Sequence, residues 1–141
     1  MSKLAVIRIR GKPGKKPQLE LTLSMLRLHR NHYCAVVEDN PSMRGMVDNV
    51  KDYTTYGELD DQTFKELVAK RGELLTSRTQ DSKGKINYPF IEVDGKKYKP
   101  VFRLAPPIKG FERKGIKMPF AQGGALGNRG QKINDLIKRM L

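Results

Sequence analysis

Cysteine is almost absent from this chain, histidine is scarce, and acidic residues are outnumbered nearly two to one. Cys34 is the only thiol, which excludes an intramolecular disulfide framework and fits a reducing cytosol. Its setting in Tyr33–Glu38 makes it a half-buried strand thiol. His29-x-x-His32-x-Cys34 comes nearest to a metal motif, but zinc needs a fourth ligand and no other Cys or His exists to supply it. No Gly-x-Ser-x-Gly elbow is present, so nucleophilic catalysis has no visible scaffold. No run approaches the ~20 apolar residues of a bilayer span. Lys3 is followed only by a short apolar stretch before Arg8, so no secretory signal is expected. Repeats of 20 to 50 residues are also missing.

What is abundant is positive charge. The 141 residues include 28 Lys or Arg and 15 Asp or Glu, a formal +13. Such a field favours nucleic acid or an anionic membrane surface and says nothing about fold. The charge is segregated: residues 1–30 carry +7, residues 31–60 carry −4, and residues 111–141 carry +5. Uniformly solvated surface has no reason to divide charge this way. A chain of this length buries roughly 70% of its unfolded surface and folds without disulfides.

Residues 3–10 read as a strand, with Ala5, Ile7 and Ile9 facing one way and Leu4, Val6, Arg8 and Arg10 the other. A basic Gly/Pro loop containing Lys12, Lys15 and Lys16 follows. Residues 18–30 alternate at first like a strand, but Pro17 and the scarcity of β-branched residues favour a helix. A second strand is expected over 33–38 and a third over 53–59. Between them Asn40 caps a helix over 41–51, with Pro41 at its first position and Met43, Met46, Val47 and Val50 on one face. Asp60 or Asp61 caps another helix that ends before Gly72. Residues 90–93 and 96–104 flank Asp94-Gly95 as a hairpin, and Pro100 puts the second arm on an edge. Ile133, Leu136, Ile137 and Met140 form the apolar stripe of a docked terminal helix.

Residues 106–130 hold six of the thirteen glycines, five Lys or Arg, and no apolar periodicity. Backbone freedom, cations and flat rings together suit close contact with RNA. Gly123 to Gly130 opens a helix but does not match a dinucleotide fingerprint, and Gly14-Lys15 lacks the Ser or Thr of a Walker loop. A narrower expectation survives: backbone N–H groups around Gly127, beside Arg129 and Lys132, could hold one phosphate. Lys109, Arg113, Lys114 and Lys117 could neutralise several more. Phe111 and Phe120 either stack on bases or anchor the segment to the protein. His29 and His32 read as surface or RNA-facing donors.

The stretch Val37-Glu38-Asp39-Asn40-Pro41-Ser42-Met43-Arg44-Gly45-Met46-Val47, after a basic strand and loop, resembles the core of the large-subunit ribosomal protein family usually called L-thirty. Phe102 to Pro107, Lys109-Gly110-Phe111, Gly123-Gly124, Gly127-Asn128-Arg129 and the closing Ile133-Asn134 and Leu136-Ile137 resemble its archaeal and eukaryotic branch. Eukaryotic members carry a long basic N-terminal arm not seen here, which points to the archaeal form. The resemblance implies an α+β fold: a β-α-β-α-β core with a three-stranded antiparallel sheet covered by helices on one face. An extension with a hairpin, a basic glycine-rich segment and a terminal helix would follow. On that division residues 1–59 are an rRNA-binding core, and residues 60–141 a branch-specific extension packed on it as one folded unit.

It also implies a structural constituent of the large subunit, lying near the 5S rRNA region beside neighbouring ribosomal proteins, cytoplasmic, without enzymatic activity, cofactor or membrane. Arg8, Arg10, Arg30 and Arg44 join the lysines of the first loop and the glycine-rich segment as expected RNA contacts. Arg44 is the residue the family motif highlights, and a salt bridge to Asp48 one turn on is its alternative role. Two rival functions remain at this stage. A free-standing RNA- or DNA-binding regulator would share the charge. A peripheral membrane protein would use the terminal helix, with Lys132, Lys138 and Arg139 beside Ile133 and Ile137.

Overall fold

The computed structural model describes residues 3–10, 17–51, 53–72, 91–93, 96–99, 101–108, 110–111, 115 and 118–141. Strand β1 (Lys3–Arg8) lies at the centre of a sheet, between β2 (Tyr33–Glu38) and β3 (Thr54–Leu59). Both pairings are antiparallel, with Ala5 opposite Val36 on one side and Gly57 on the other. Every residue from Leu4 to Ile9 is buried, because β1 is covered on both faces. Its alternation sorts the two layers: Val6 points to α1 (Pro17–Met25) and α2 (Pro41–Asn49), while Ala5 and Ile7 point to α3 (Asp61–Arg71) and α4 (Ile133–Met140).

The core helices α1 and α2 share one face of the sheet, as expected, and α3 and α4 cover the other. The expected three-stranded sheet is corrected. The sheet itself has five strands, because distant segments extend the antiparallel three. Residues 96–104 do not form one hairpin arm: Lys96–Tyr98 (β5) pairs with Ile91–Val93 (β4) as a separate ribbon, and Val101–Arg103 (β6) joins the open edge of β2. At the opposite edge Gly127–Asn128 (β7) runs parallel to β3, with Thr55 opposite Gly127. The turn at Asp94-Gly95 lies outside the described residues.

Local chemistry explains the helix limits. The Asn40 side chain accepts from Met43 N–H at 2.8 Å, and the Asp60 carboxylate accepts from Thr63 N–H at 2.7 Å; each satisfies one of the donors a helix start leaves over. Helix α1 stops earlier than residue 30. Leu28 N–H donates to the Leu23 carbonyl and Arg27 N–H to that of Ser24, a Schellman closure with Arg27 in the left-handed region at φ 63°. Leu23 and Leu28, the hydrophobic pair of that motif, are both buried.

The larger core lies on the α3/α4 side, where Phe102, Leu67, Ile133, Leu136, Ile137 and Met140 are fully buried. Each large aliphatic side chain there contributes about 1.5–3 kcal/mol relative to exposure. Asn134 bolts α4 to β3: its Oδ1 accepts from Asp60 N–H, and its Nδ2 donates to the Glu58 and Gln131 carbonyls. Burial of Ile133 and Ile137 in this core removes the apolar face that a membrane-bound terminal helix would need. Among the described residues no helix is long and apolar enough to cross a membrane.

Candidate nucleic-acid interface

The end of β1 brings its cations to the α1 side of the sheet. Arg8 lies in register with Val6, so its side chain turns inward and is 4% exposed. A buried guanidinium must be hydrogen-bonded, and this one is. Nε donates to the Arg10 carbonyl at 3.0 Å and Nη1 to the Leu28 carbonyl at 2.7 Å. Arg8 therefore ties the exit of α1 to the sheet. Burial lowers its pKa, with Glu20 opposing that shift. Arg10 is half-buried, its guanidinium 5.0 Å from the centre of the Tyr53 ring. Lys12, Lys15 and Lys16 lie outside the described residues.

The glycine-rich segment is less of an open ribbon than its composition suggests. Ala125 and Leu126 are buried with Ile9, and Phe111 packs against them. Gly124 faces the Met118 backbone so closely that a Cβ would collide with it. Arg129 is 4% exposed; its Nε donates to Thr55 Oγ1 at 2.8 Å, its Nη2 to the Ala125 carbonyl at 3.1 Å, and its guanidinium sits 4.8 Å from the Phe120 ring centre. Thr55 in turn donates to the Gly127 carbonyl. This places Arg129 as an internal nail between the segment and β3, away from the surface role expected of it.

The single-phosphate site expected around Gly127 is also corrected. Arg129 N–H donates to the Tyr56 carbonyl, Gly130 N–H to Asn128 Oδ1, and Lys132 N–H to the Arg129 carbonyl. With those donors engaged inside the fold, they are not presented to a phosphate. Gly127 itself has φ 88°, a backbone state that explains the glycine without a ligand. Phe111 stacks on His32 at 5.6 Å between centroids and 11° between planes. Phe120 lies under Arg129 and Lys132. Both half-buried rings thus pack within the fold.

Arg44 finds a partner, but not Asp48. It makes a two-pronged bond with Asp39, at 2.5 and 2.8 Å, and approaches Glu58 at 4.0 Å. The Asp39 hydrogen bond is the main reason the Arg44 pKa rises. Asp48 instead accepts from the Tyr56 hydroxyl. Arg30 and Lys132 are exposed. Lys109, Arg113, Lys114 and Lys117 lie outside the described residues.

The histidine and cysteine motif is split by the sheet. Cys34 is fully buried on the α3/α4 side, where desolvation pushes its thiol up to about 12, whereas His29 lines a groove on the α1 side. The half-buried thiol expected is a fully buried one. His32 lies at φ 68°, and burial lowers its pKa.

Sequence reasoning passed over Arg27, Glu20 and Ser24. Arg27 is exposed in a left-handed position that usually takes glycine, so only the absence of a glycine after α1 hinted at it. Glu20, Ser24 and His29 face Arg8 across the groove; helical spacing from 20 to 24 was the available signal.

The fold and its charge define a small basic protein in which helices cover both faces of a mixed five-stranded sheet. Residues 4–54 match the family described as Ribosomal protein L30p/L7e. Over nearly its whole length the chain is similar to proteins named "Large ribosomal subunit protein uL30". It is 42% identical to that of Methanococcus maripaludis, covering 97% of this chain and 98% of the relative. It is 41% identical to that of Nanoarchaeum equitans, with all of both chains covered. For Methanopyrus kandleri the figures are 40% identity, 94% of this chain and 100% of the relative. The chain belongs to the L30p/L7e family of ribosomal proteins, in its archaeal branch.

Proposed function

We infer that this protein is a structural constituent of the large ribosomal subunit that binds large-subunit rRNA and carries out no chemistry of its own. The observation that carries the reading is full-length similarity to archaeal large-subunit proteins. The segregated charge supports it: a +7 opening segment and a +5 closing one suit two stretches of phosphate backbone. Arg10, Arg30 and Lys132 are the described cations we assign to surface contact, with Lys12, Lys15, Lys16, Lys109, Arg113, Lys114 and Lys117 from the first loop and the glycine-rich segment. Arg8 and Arg129 position backbone beneath that surface. The acidic stretch of residues 31–60 is better suited to neighbouring ribosomal proteins than to RNA.

A position near the 5S rRNA region and a cytoplasmic location follow from the family reading. We also read residues 1–59 as the core and 60–141 as its extension, in one folded unit. Support for that unity comes from β6 and β7, which complete the two edges of the sheet.

Sedimentation of cell lysate through a salt and magnesium series tests the assignment. The protein should travel with large subunits at low salt; finding it at the top of the gradient would refute the reading. Replacing Arg113, Lys114 and Lys117 together by Ala should weaken rRNA binding and flatten its salt dependence, by roughly 0.7 to 0.9 in log–log slope per lost phosphate contact. An unchanged slope would remove those residues from the interface.

A further inference from the structure

The groove above Arg8 has features that a phosphate contact does not require. It encloses about 310 Å³ and is lined by Arg8, Glu20, Leu23, Ser24, Leu28 and His29, at the lower end of ligand-site volumes of about 300–1,000 Å³. Its floor is a guanidinium held rigid by two backbone carbonyls. The third nitrogen, Nη2, donates to no acceptor among the described residues, and Arg8 lines the groove. Across the groove stands Glu20, near enough to raise the Arg8 pKa yet forming no salt bridge with it. Leu23 and Leu28 supply an apolar wall, and the exposed His29 stands at the rim.

Charge decides what such a groove accepts. A pure anion would gain from Arg8 but be repelled by the Glu20 carboxylate. A ligand that accepts from the arginine and donates to the glutamate satisfies both. Every nucleobase carries acceptors and N–H donors, but guanine pairs two adjacent acceptors, O6 and N7, with two adjacent donors, N1–H and N2–H₂, which match a two-pronged guanidinium and a two-oxygen carboxylate. A flat ring also suits the apolar wall and the histidine rim, and unstacked bases are the usual object of sequence-specific RNA recognition.

We propose that this groove receives a single unstacked guanine, with Arg8 donating to its O6/N7 edge and Glu20 accepting from N1–H and N2–H₂. The proposal deepens the RNA-binding reading and rests on it. It makes one part of the β1–α1 face a base-reading site instead of a phosphate contact.

Binding of the full chain to single-stranded RNA hexamers that differ only at one central base, at one fixed salt concentration, tests it. Guanine should be preferred by on the order of tenfold over adenine, cytosine and uracil. Free guanosine monophosphate, run alongside, separates recognition of the base alone from recognition within a strand. Substitution of Arg8 risks the fold, so the deciding variant is Glu20→Gln on the exposed face of α1. It should abolish the guanine preference by weakening the guanine hexamer relative to the other three. A phosphate groove predicts the opposite sign: Glu20→Gln would strengthen all four hexamers equally, and that result overturns the proposal. Equal binding of all four bases by the unaltered protein overturns it too. If that protein still sediments with large subunits, only the guanine pocket is lost; if it does not, the ribosomal reading falls with it.

Discussion

The two helical layers on either side of the sheet differ in kind. The α3/α4 layer is the larger among the described residues: thirteen buried residues interlock there, from Ala5 through Phe102 to Met140. The α1/α2 layer buries seven, leaves Leu21 and Met25 more than 60% exposed, and keeps an open groove over a buried arginine. The turn leaving α1 is also strained, with Arg27 at positive φ. The denser packing lies in one layer, and the groove we propose for a base lies in the other. Backbone strain and incomplete packing often mark sites that meet a partner, and here both fall on the same side.

The comparison breaks most readily at the larger layer. Leu136→Ala should cost about 2–5 kcal/mol, and Leu23→Ala, beside the open groove where neighbours can relax, should fall at the lower end of that range; equal losses in thermal unfolding would erase the distinction. Gly57→Ala acts through the same layer, because a Cβ would collide with the Gly130 carbonyl and the Ile133 side chain. It should destabilise by about 1–3 kcal/mol, as overpacking does, with amide exchange first accelerating at the start of α4. Arg129→Ala leaves the buried Ala125 carbonyl and Thr55 hydroxyl short of a partner, a loss of about 1–3 kcal/mol in denaturant unfolding.

On the open side the effects shrink and one changes sign. Arg27→Gly should stabilise by roughly 0.5–1 kcal/mol, since glycine adopts the left-handed state without steric cost; a lower melting temperature would mean Arg27 is held by contacts that outweigh its strain. A pH titration gives the subtlest signal. The His32 pKa is lowered by burial, so its contribution is fully present above about pH 6.5 and declines as pH falls through the folded value. Asp60, lowered chiefly by its hydrogen bond with Thr63, contributes above its ordinary carboxylate range and loses that only in stronger acid. Stability should thus decline in two steps as pH falls. His32→Asn, which tolerates left-handed backbone, should remove the first step and leave the second.

Patterns of local period were legible in the sequence. The limits of β2, β3, α2 and α3 follow from alternation, Asn40, Asp60 and Gly72, because caps and turns act over a few residues. What failed was non-local or depended on burial. Strand β7 is two residues of a glycine-rich run, with no pattern of its own, paired to Thr55 and Tyr56 from far along the chain. The periodicity of α1 runs past its true end because the left-handed residue that closes it is an arginine. Arg8 and Arg129 advertise charge, yet only three-dimensional register reveals that both point inward. Helical spacing offers Arg44 the carboxylate one turn ahead as an alternative to RNA, whereas Asp39, just before the cap, reaches back to it.

The late arrival of β6 and β7 has a consequence for biogenesis. The strands β1, β2 and β3 are complete by Leu59, but their outer edges wait for residues 101–103 and 127–128. During synthesis the nascent sheet therefore emerges with both edges unpaired, a state prone to pairing with other chains. Its closure depends on contacts of long sequence separation, which form slowly. A protein built this way has reason to meet its binding partner, or a chaperone, before its own last segment has closed the sheet.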